Sequence, residues 1–596
     1  MTHLSNISKS KTKLFFYLLD STARKSIPFL ILSFLISSLL DVVGVGLIGV
    51  FLAALTNPDY FFQKFPHLIF LIHGTTEKRL IFFSGLFVIV AFVIKAIIAL
   101  NIQRKIILFC NSYSVRLKNR MMTAYQYAPY TYHLQKNSAH LIARIQDNLS
   151  NYVGNVLLSV LNLISNGLVA CSILLFLSFL HPFLTISLIV MFFSVGLIFD
   201  LFVKRKLAAI SKIVAVSNGE MNKCIHNALQ GITEVRVLGK EDYFIKSLIK
   251  LASEYAHASS ILVMMQQIPR FLIENMMAIF IIGLSLGGIV AGYKMSSVVA
   301  MVGMFAAGGA RLLPTVTQII TTVNLIRGYS YHTQLVYEEL YELDQLTIHT
   351  LSKNRTLTRQ TEKFNFNSLQ LQNVSFTYPK AIYSALVDVS INITKGQSVG
   401  FIGPSGAGKS TLINLLLGFL EPQEGFLLVN NEPVKNLRTW LNNFAYIPQV
   451  IFLLDDSLKR NIAFGIEDGN IDEQRLQNAI KMAQLSEVVE QLPLGVDTYI
   501  GENGICLSGG QRQRVALARA FYHERDIIIM DEATSALDNE TEKEVINTIK
   551  RLKGNKTLIV IAHRLTTVEH CDVIYRLEKG RVTAIGSYQE VVGTVA

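Results

Sequence analysis

Gly403-Pro404-Ser405-Gly406-Ala407-Gly408-Lys409-Ser410-Thr411 decides how the second half of this chain folds. Val399-Gly400-Phe401-Ile402 before it is a short apolar strand, and Leu412-Ile413-Asn414-Leu415-Leu416-Leu417 after it is a helical run. Strand, G-x-x-x-x-G-K-[ST], helix is the phosphate-binding P-loop arrangement, whose glycines let backbone N–H groups point at phosphate oxygens. Lys409 adds a point charge for the β- and γ-phosphates, and Ser410 offers a hydroxyl to Mg²⁺. The helix that starts here adds the positive end of its dipole.

Around this loop the chain divides in composition. Its 596 residues are 51% hydrophobic and only 16% charged, with a mean hydropathy of +0.38. Those values exclude an ordinary soluble protein and point to a membrane protein with a soluble part, of two to four domains. The formal charge of +12 fits basic loops on the inner side of a membrane better than nucleic acid. Five cysteines without a CxxC pair imply neither a disulfide framework nor a metal site.

Six apolar spans are expected, at 27–54, 79–108, 151–180, 182–203, 268–292 and 295–326. The first runs on without a small-residue cleavage site and reads as a retained transmembrane helix. Several exceed the roughly 20 residues that cross a hydrocarbon core, so their ends should project beyond it. Basic residues crowd the N-terminal segment and the segments 104–150 and 204–260, which places both termini in the cytoplasm. Leu14 to Leu19, beside lysines, reads as a short interfacial helix. The aromatic stretch 59–72 is either a loop packed on the outer helix ends or a helix lying in the outer interface.

Ionisable residues inside spans are costly and mark functional candidates. Lys95, Arg270 and Arg311 stand out, with Glu274 one turn after Arg270. Lys95 and Arg311 fall about 24 Å below the outer ends of their spans, in the inner half of the membrane. Two readings stay open: snorkelling of Lys95 with a local Arg270–Glu274 pair, or a basic belt in a water-filled cavity facing an anionic substrate. Gly308, Gly309 and Pro314 make the sixth span a place for bending.

The soluble half alternates β-rich and helical runs, the pattern of an α/β domain with a partly parallel sheet. Ile527-Ile528-Ile529-Met530-Asp531-Glu532 is a buried strand delivering two carboxylates, Asp531 for Mg²⁺ and Glu532 to polarise water. Leu507-Ser508-Gly509-Gly510-Gln511 is a second glycine-rich turn before a helix, suited to a second phosphate contact.

Together these residues resemble the ATP-binding cassette family. The resemblance implies that Tyr378 is the aromatic residue that stacks on adenine and Gln449 the Q-loop glutamine that reaches Mg²⁺. Gly501-Glu502-Asn503-Gly504 is similar to the exporter-type X-loop. Asp538, in Ser535-Ala536-Leu537-Asp538, belongs to the D-loop, and His563 is the switch histidine. Catalysis then falls to Glu532, His563, Lys409 and Gln449, with ATP and Mg²⁺ as cofactors. A head-to-tail pair of copies is implied, Ser508 and Gly510 of one completing the ATP site on the other; the intact acid and signature favour a homodimer. The expected architecture is an interfacial helix (1–26), a six-span exporter-type helical domain (27–339), a linker (340–366) and an α/β nucleotide-binding domain (367–596). Spans four and five would cross to the partner, with coupling helices near 125–140 and 215–240.

For cargo, Pro269-Arg270 with Glu274, Arg311-Leu312-Leu313-Pro314 and the aromatic external segment resemble the flippases of lipid-linked oligosaccharides. Lys95 stands where that family has an arginine. The expected function is ATP-driven movement of a pyrophosphate-linked oligosaccharide lipid across the cell's inner membrane, with the cassette in the cytoplasm. Another anionic lipid, such as lipid A, or an amphipathic drug is the alternative; a channel regulator or non-transporting ATPase is a third class. No cysteine-protease domain precedes the spans, so a peptide-processing exporter is not expected.

Overall fold

A computed structural model describes residues 11–56, 77–353, 366–379, 381–434, 437–532, 539–562 and 565–592. The aromatic stretch 59–72, Asp538 and His563 lie outside the described residues. The chain separates into two compact units: 1–128 with 136–345, and 129–135 with 346–596.

The first unit is helical: α1 (Lys11–Leu18), α2 (Ser21–Thr56), α3 (Glu77–Tyr127), α4 (Tyr130–Gln135, which clusters with the second unit), α5 (Ser138–Leu180), α6 (Pro182–Gln230), α7 (Ile232–Val237), α8 (Glu241–Val290), α9 (Met295–Gly328) and α10 (Ser330–Lys353). His181 alone separates α5 from α6, and Ala291–Lys294 separates α8 from α9, as the turn residues suggest. Among the described residues five helices are long and apolar enough to cross a membrane: α2, α3, α5, α6 and α8. The sixth expected span falls on α9, a 34-residue helix that carries Arg311 and Pro314 and is not one of the five. Residues 340–353, placed in the linker by composition, are helical and belong to α10.

The core of this unit joins Ile173 and Leu177 of α5, Leu188 and Phe192 of α6, Ile273 and Met277 of α8, and Phe305 and Leu312 of α9. The outward faces carry Phe82, Phe87, Phe179, Phe183 and Leu201, all exposed. An apolar girdle of that kind is stable only against hydrocarbon. Two π-helical stretches, Arg144–Asn148 and Tyr152–Leu157, widen the turns of α5. At the polar end α1, the turn after it, α3 and α10 are tied together, the Tyr113 hydroxyl of α3 donating to the Leu18 carbonyl at 2.7 Å. Arg116 pairs with Asp20 at 2.8 Å, Arg120 with Asp344 at 2.6 Å and Lys136 with Glu342 at 2.9 Å, while the Tyr17 hydroxyl donates to Asp344.

The second unit is α/β. A four-stranded antiparallel sheet has the order β2 (Leu386–Thr394), β1 (Ser368–Phe376), β4 (Glu424–Val429), β5 (Glu432–Pro433). A six-stranded sheet has the order β10 (Arg581–Gly586), β9 (Val573–Glu578), β3 (Ser398–Ile402), β8 (Thr557–Ile561), β7 (Ile527–Asp531), β6 (Phe444–Ile447). All its pairings are parallel except β9 with β10. Helices α11 (Lys409–Leu416), α12 (Gly509–Tyr522) and α13 (Asn539–Leu552) belong to the same unit. β3, β7 and β8 are buried throughout, which is why each reads as an uninterrupted apolar run. The register sets Phe401 and Asp531 both opposite Ile561. The carboxyl ends of β3, β7, β8 and β6 therefore meet at one edge, the ordinary place for a ligand in an open α/β sheet.

Candidate functional site

β3 runs straight into the glycine-rich loop. Gly403 has φ 150°, and a Cβ there would lie 2.1 Å from the Leu577 carbonyl oxygen, so the position admits no side chain. Ala407 N–H donates to the Pro404 carbonyl at 3.2 Å, which closes the turn. Gly408, left-handed at φ 101°, precedes α11. Lys409 is buried and donates to the carbonyl oxygens of Gly403 (2.7 Å) and Pro404 (2.9 Å). Burial pushes its ammonium below the usual lysine range, against the pull of Glu532 and Asp531. Ser405, Gly406 and Ser410 face solvent along the loop mouth. Thr411 is buried, and its hydroxyl meets that of Tyr378 at 3.2 Å, which sets the tyrosine ring beside the loop.

At the same sheet edge β7 delivers Asp531, which is buried and accepts from the Tyr446 hydroxyl at 3.3 Å. Burial, and after it Asp531 itself, push the Tyr446 phenol well above its usual pKa, so it stays a neutral donor. Glu532 follows with φ 52°, a left-handed backbone uncommon for glutamate. That turn takes its carboxylate out of the strand direction to accept from Gln449 Nε2 at 2.9 Å. The sequence-predicted pair of Glu532 and Gln449 is thus brought into direct contact, and Lys409 is close enough to feel both acids. A hydroxyl at Ser410 and a buried carboxylate at Asp531 are hard oxygen donors that fit Mg²⁺, which is held at phosphate sites by one or two carboxylates together with phosphate oxygens.

Ser508 is the N-cap of α12. Its hydroxyl accepts from Gln511 N–H at 3.2 Å while Gln511 Oε1 accepts from Ser508 N–H at 2.8 Å. This reciprocal pair is a capping box. Gln511, assigned to nucleotide from the motif, has a structural task that the Ser-x-x-Gln spacing itself signals, and it holds Gly509 and Gly510 at the start of a 14-residue helix.

The three membrane cations are placed unequally. Lys95 Nζ lies 2.7 Å from Asp41 Oδ1, and Arg311 Nη2 donates to Asp41 Oδ2 at 2.9 Å. Arg270 is not brought to them; it donates to Glu274 at 2.8 Å on its own helix, with 60% of its side chain exposed. Asp41, in the apolar run Leu39-Leu40-Asp41-Val42-Val43, is the residue that a search for cations overlooks. Its signal was available, since a carboxylate inside a span carries the same cost as a cation.

Two family descriptions match. "ABC transporter transmembrane region" covers residues 27–306 and "ABC transporter" covers residues 386–535. The chain is an ABC transporter. The transporter is 33% identical over 393 residues to an ATP-dependent lipid A-core flippase of Methylobacillus flagellatus, spanning 65% of this chain and 64% of that one. It is 43% identical over 228 residues to the Cupriavidus metallidurans flippase of the same name, 38% of each chain. It is 29% identical over 474 residues to that of Pseudomonas aeruginosa, 78% of this chain and 75% of the relative. Among solved structures it resembles a bacterial Atm1-family ABC exporter with ATP bound, with a TM-score of 0.75 at 20% identity over 97% of both chains. That likeness establishes the exporter-type fold. These relatives are named for lipid A-core and not for lipid-linked oligosaccharide.

Proposed function

We propose that this transporter is an ATP-driven flippase that moves a phosphate-bearing lipid of the lipid A type from the inner to the outer leaflet of the inner membrane. The observation that carries the energy source is the meeting of Lys409, Glu532 and Gln449 at one sheet edge. The cargo class rests on the relatives' names together with cations inside apolar helices. Pyrophosphate-linked oligosaccharide is the second reading, and the resemblance of Pro269-Arg270 and Arg311-Leu312-Leu313-Pro314 to that family of flippases speaks for it.

In this reading the glycine loop cradles the phosphates, Lys409 leaves its two carbonyl partners for the γ-phosphate, and Tyr378 stacks on adenine. Ser410, Asp531 and Gln449 would hold Mg²⁺, which neutralises phosphate charge when bound. Glu532 orients or deprotonates the attacking water, with Gln449 fixing the carboxylate. Asp538 and His563 complete the set by resemblance. Ser508 and Gly510 of a second copy close the site, so nucleotide acts as an adhesive between two cassettes, and hydrolysis loosens it. α4 and α7 are the coupling helices, and six spans, α9 included, form each membrane half.

Reconstitution in liposomes with fluorescent lipid A tests the reading. ATP should drive the probe to the opposite leaflet, and Glu532→Gln should stop it. Unchanged movement by Glu532→Gln removes the hydrolytic assignment; no ATP-dependent movement of lipid A, with movement of a pyrophosphate-linked oligosaccharide lipid, restores the second reading.

A further inference from the structure

Asp41 gathers two of the three membrane cations from two further helices. It lies on α2, Lys95 on α3 and Arg311 on α9, and its side chain is only 1% exposed. Lys95 is seated deliberately: a Cβ on Gly44, one turn after Asp41, would lie 3.1 Å from Lys95 Nζ, so glycine there leaves the ammonium its place. The Phe92 ring covers the same ammonium at 5.1 Å. Arg311 is held less completely. Its Nε stands 2.8 Å from Asp41 Oδ1. Oδ1 is shared with the Lys95 ammonium at 2.7 Å, and the Arg311 Nε–H makes no aligned hydrogen bond to it. Its side chain is 41% exposed. Nε and Nη2 of Arg311 thus face the Asp41 carboxylate while the rest of its side chain stays open, and Asp41 occupies the position an anion would take.

We propose that Asp41 sets substrate specificity as an internal counter-ion: it holds Arg311 in place, and a lipid headgroup must out-compete its carboxylate to be carried. A headgroup with a single phosphate monoester, about −1.5 to −2 at pH 7, exceeds the tethered carboxylate by at most about one charge, so exchange gains little. A headgroup with two phosphates exceeds it by about two or more and offers Lys95 and Arg311 a partner each. Charge balance agrees. Lys95, Arg270 and Arg311 against Asp41 and Glu274 leave one net positive charge in each chain, hence two across a pair of copies. This inference rests on the anionic-lipid reading of the cargo.

The test compares diphosphoryl with monophosphoryl lipid A as stimulators of ATP hydrolysis by the full-length protein in nanodiscs. Wild type should respond to the diphosphoryl form at about tenfold lower concentration, the worth of one charge-assisted contact. Asp41→Asn should bring that ratio close to one, through a stronger response to the monophosphoryl form, and Asp41→Glu should keep the wild-type preference. A wild-type ratio in Asp41→Asn overturns the proposal and leaves the flippase reading standing. If neither lipid stimulates wild type, the lipid A reading falls and this inference with it. Should Asp41→Asn not yield monodisperse protein, Lys95→Met is read instead. It frees the carboxylate to hold Arg311 alone, so both lipids should act more weakly and the ratio should rise; an unchanged ratio overturns the proposal.

Discussion

Tyr130 opens α4, and its ring stacks on Phe419 with centroids 5.1 Å apart and planes 26° from parallel. Phe419 follows the P-loop helix α11, and both rings are partly buried against the apolar core of the second unit. Replacing Tyr130 by alanine removes the stack, about 0.5–1.5 kcal/mol beyond area burial. It also exposes roughly 100 Å² of half-buried ring surface, worth about 2.5 kcal/mol at 25 cal/mol per Å². The sum, about 3–4 kcal/mol, would weaken docking of α4 on the cassette on the order of a hundredfold or more. The loss should fall on communication and leave nucleotide binding nearly untouched. In nanodiscs, Tyr130→Ala should retain basal ATPase and nucleotide affinity while stimulation by lipid A disappears. Tyr130→Phe, which preserves the stacked faces, should stimulate like wild type. If Tyr130→Ala keeps the wild-type ratio of stimulated to basal turnover, the stack is not the contact through which α4 engages the cassette.

Four further perturbations have outcomes set by the same geometry. Glu532→Gln can still pair with Gln449, so nucleotide binding should persist while turnover falls about 10²–10⁴-fold in a phosphate-release assay. Gly403→Ala meets the Leu577 carbonyl oxygen at 2.1 Å, and should abolish ATP binding measured with a fluorescent analogue. Gln511→Ala removes half of the α12 capping box and should destabilise the cassette by about 1 kcal/mol in thermal unfolding. Burial, with Arg525 and Arg519 adding to it, holds the His523 imidazole below its ordinary value of 6.5. The depressed folded value means its stability contribution is present above pH 6.5 and is lost as pH falls towards the folded value. The cassette's unfolding temperature should therefore drop on acidification, and less so in His523→Gln.

Legibility in the sequence followed the range of the interaction. The glycine loop, the apolar strand ending in Asp531-Glu532 and the long apolar runs are local patterns, and they placed β3, β7 and most of the membrane helices. The capping box was equally local, and Ser508-x-x-Gln511 carried its signal. Asp41 is different in kind. A carboxylate in a span is visible, but which cations it meets depends on how α2, α3 and α9 are set side by side, and no local pattern holds that. The stack of Tyr130 on Phe419 joins positions far apart in the chain for the same reason. The π-helical turns of α5 have no sequence signature at all: Arg144–Asn148 and Tyr152–Leu157 read as ordinary helix.

The ties that bind α1 and α10 to α3 have a mechanical consequence. At 51 residues, α3 is about 76 Å long, so each degree of tilt at one end displaces the other by roughly 1 Å. A lone helix that slender would flex and dissipate such a movement along its length. Splinted by Asp20 and Asp344, its polar end is a stiff lever arm, and one degree of rotation there moves Lys95, about 32 Å along the helix, by roughly 0.5 Å.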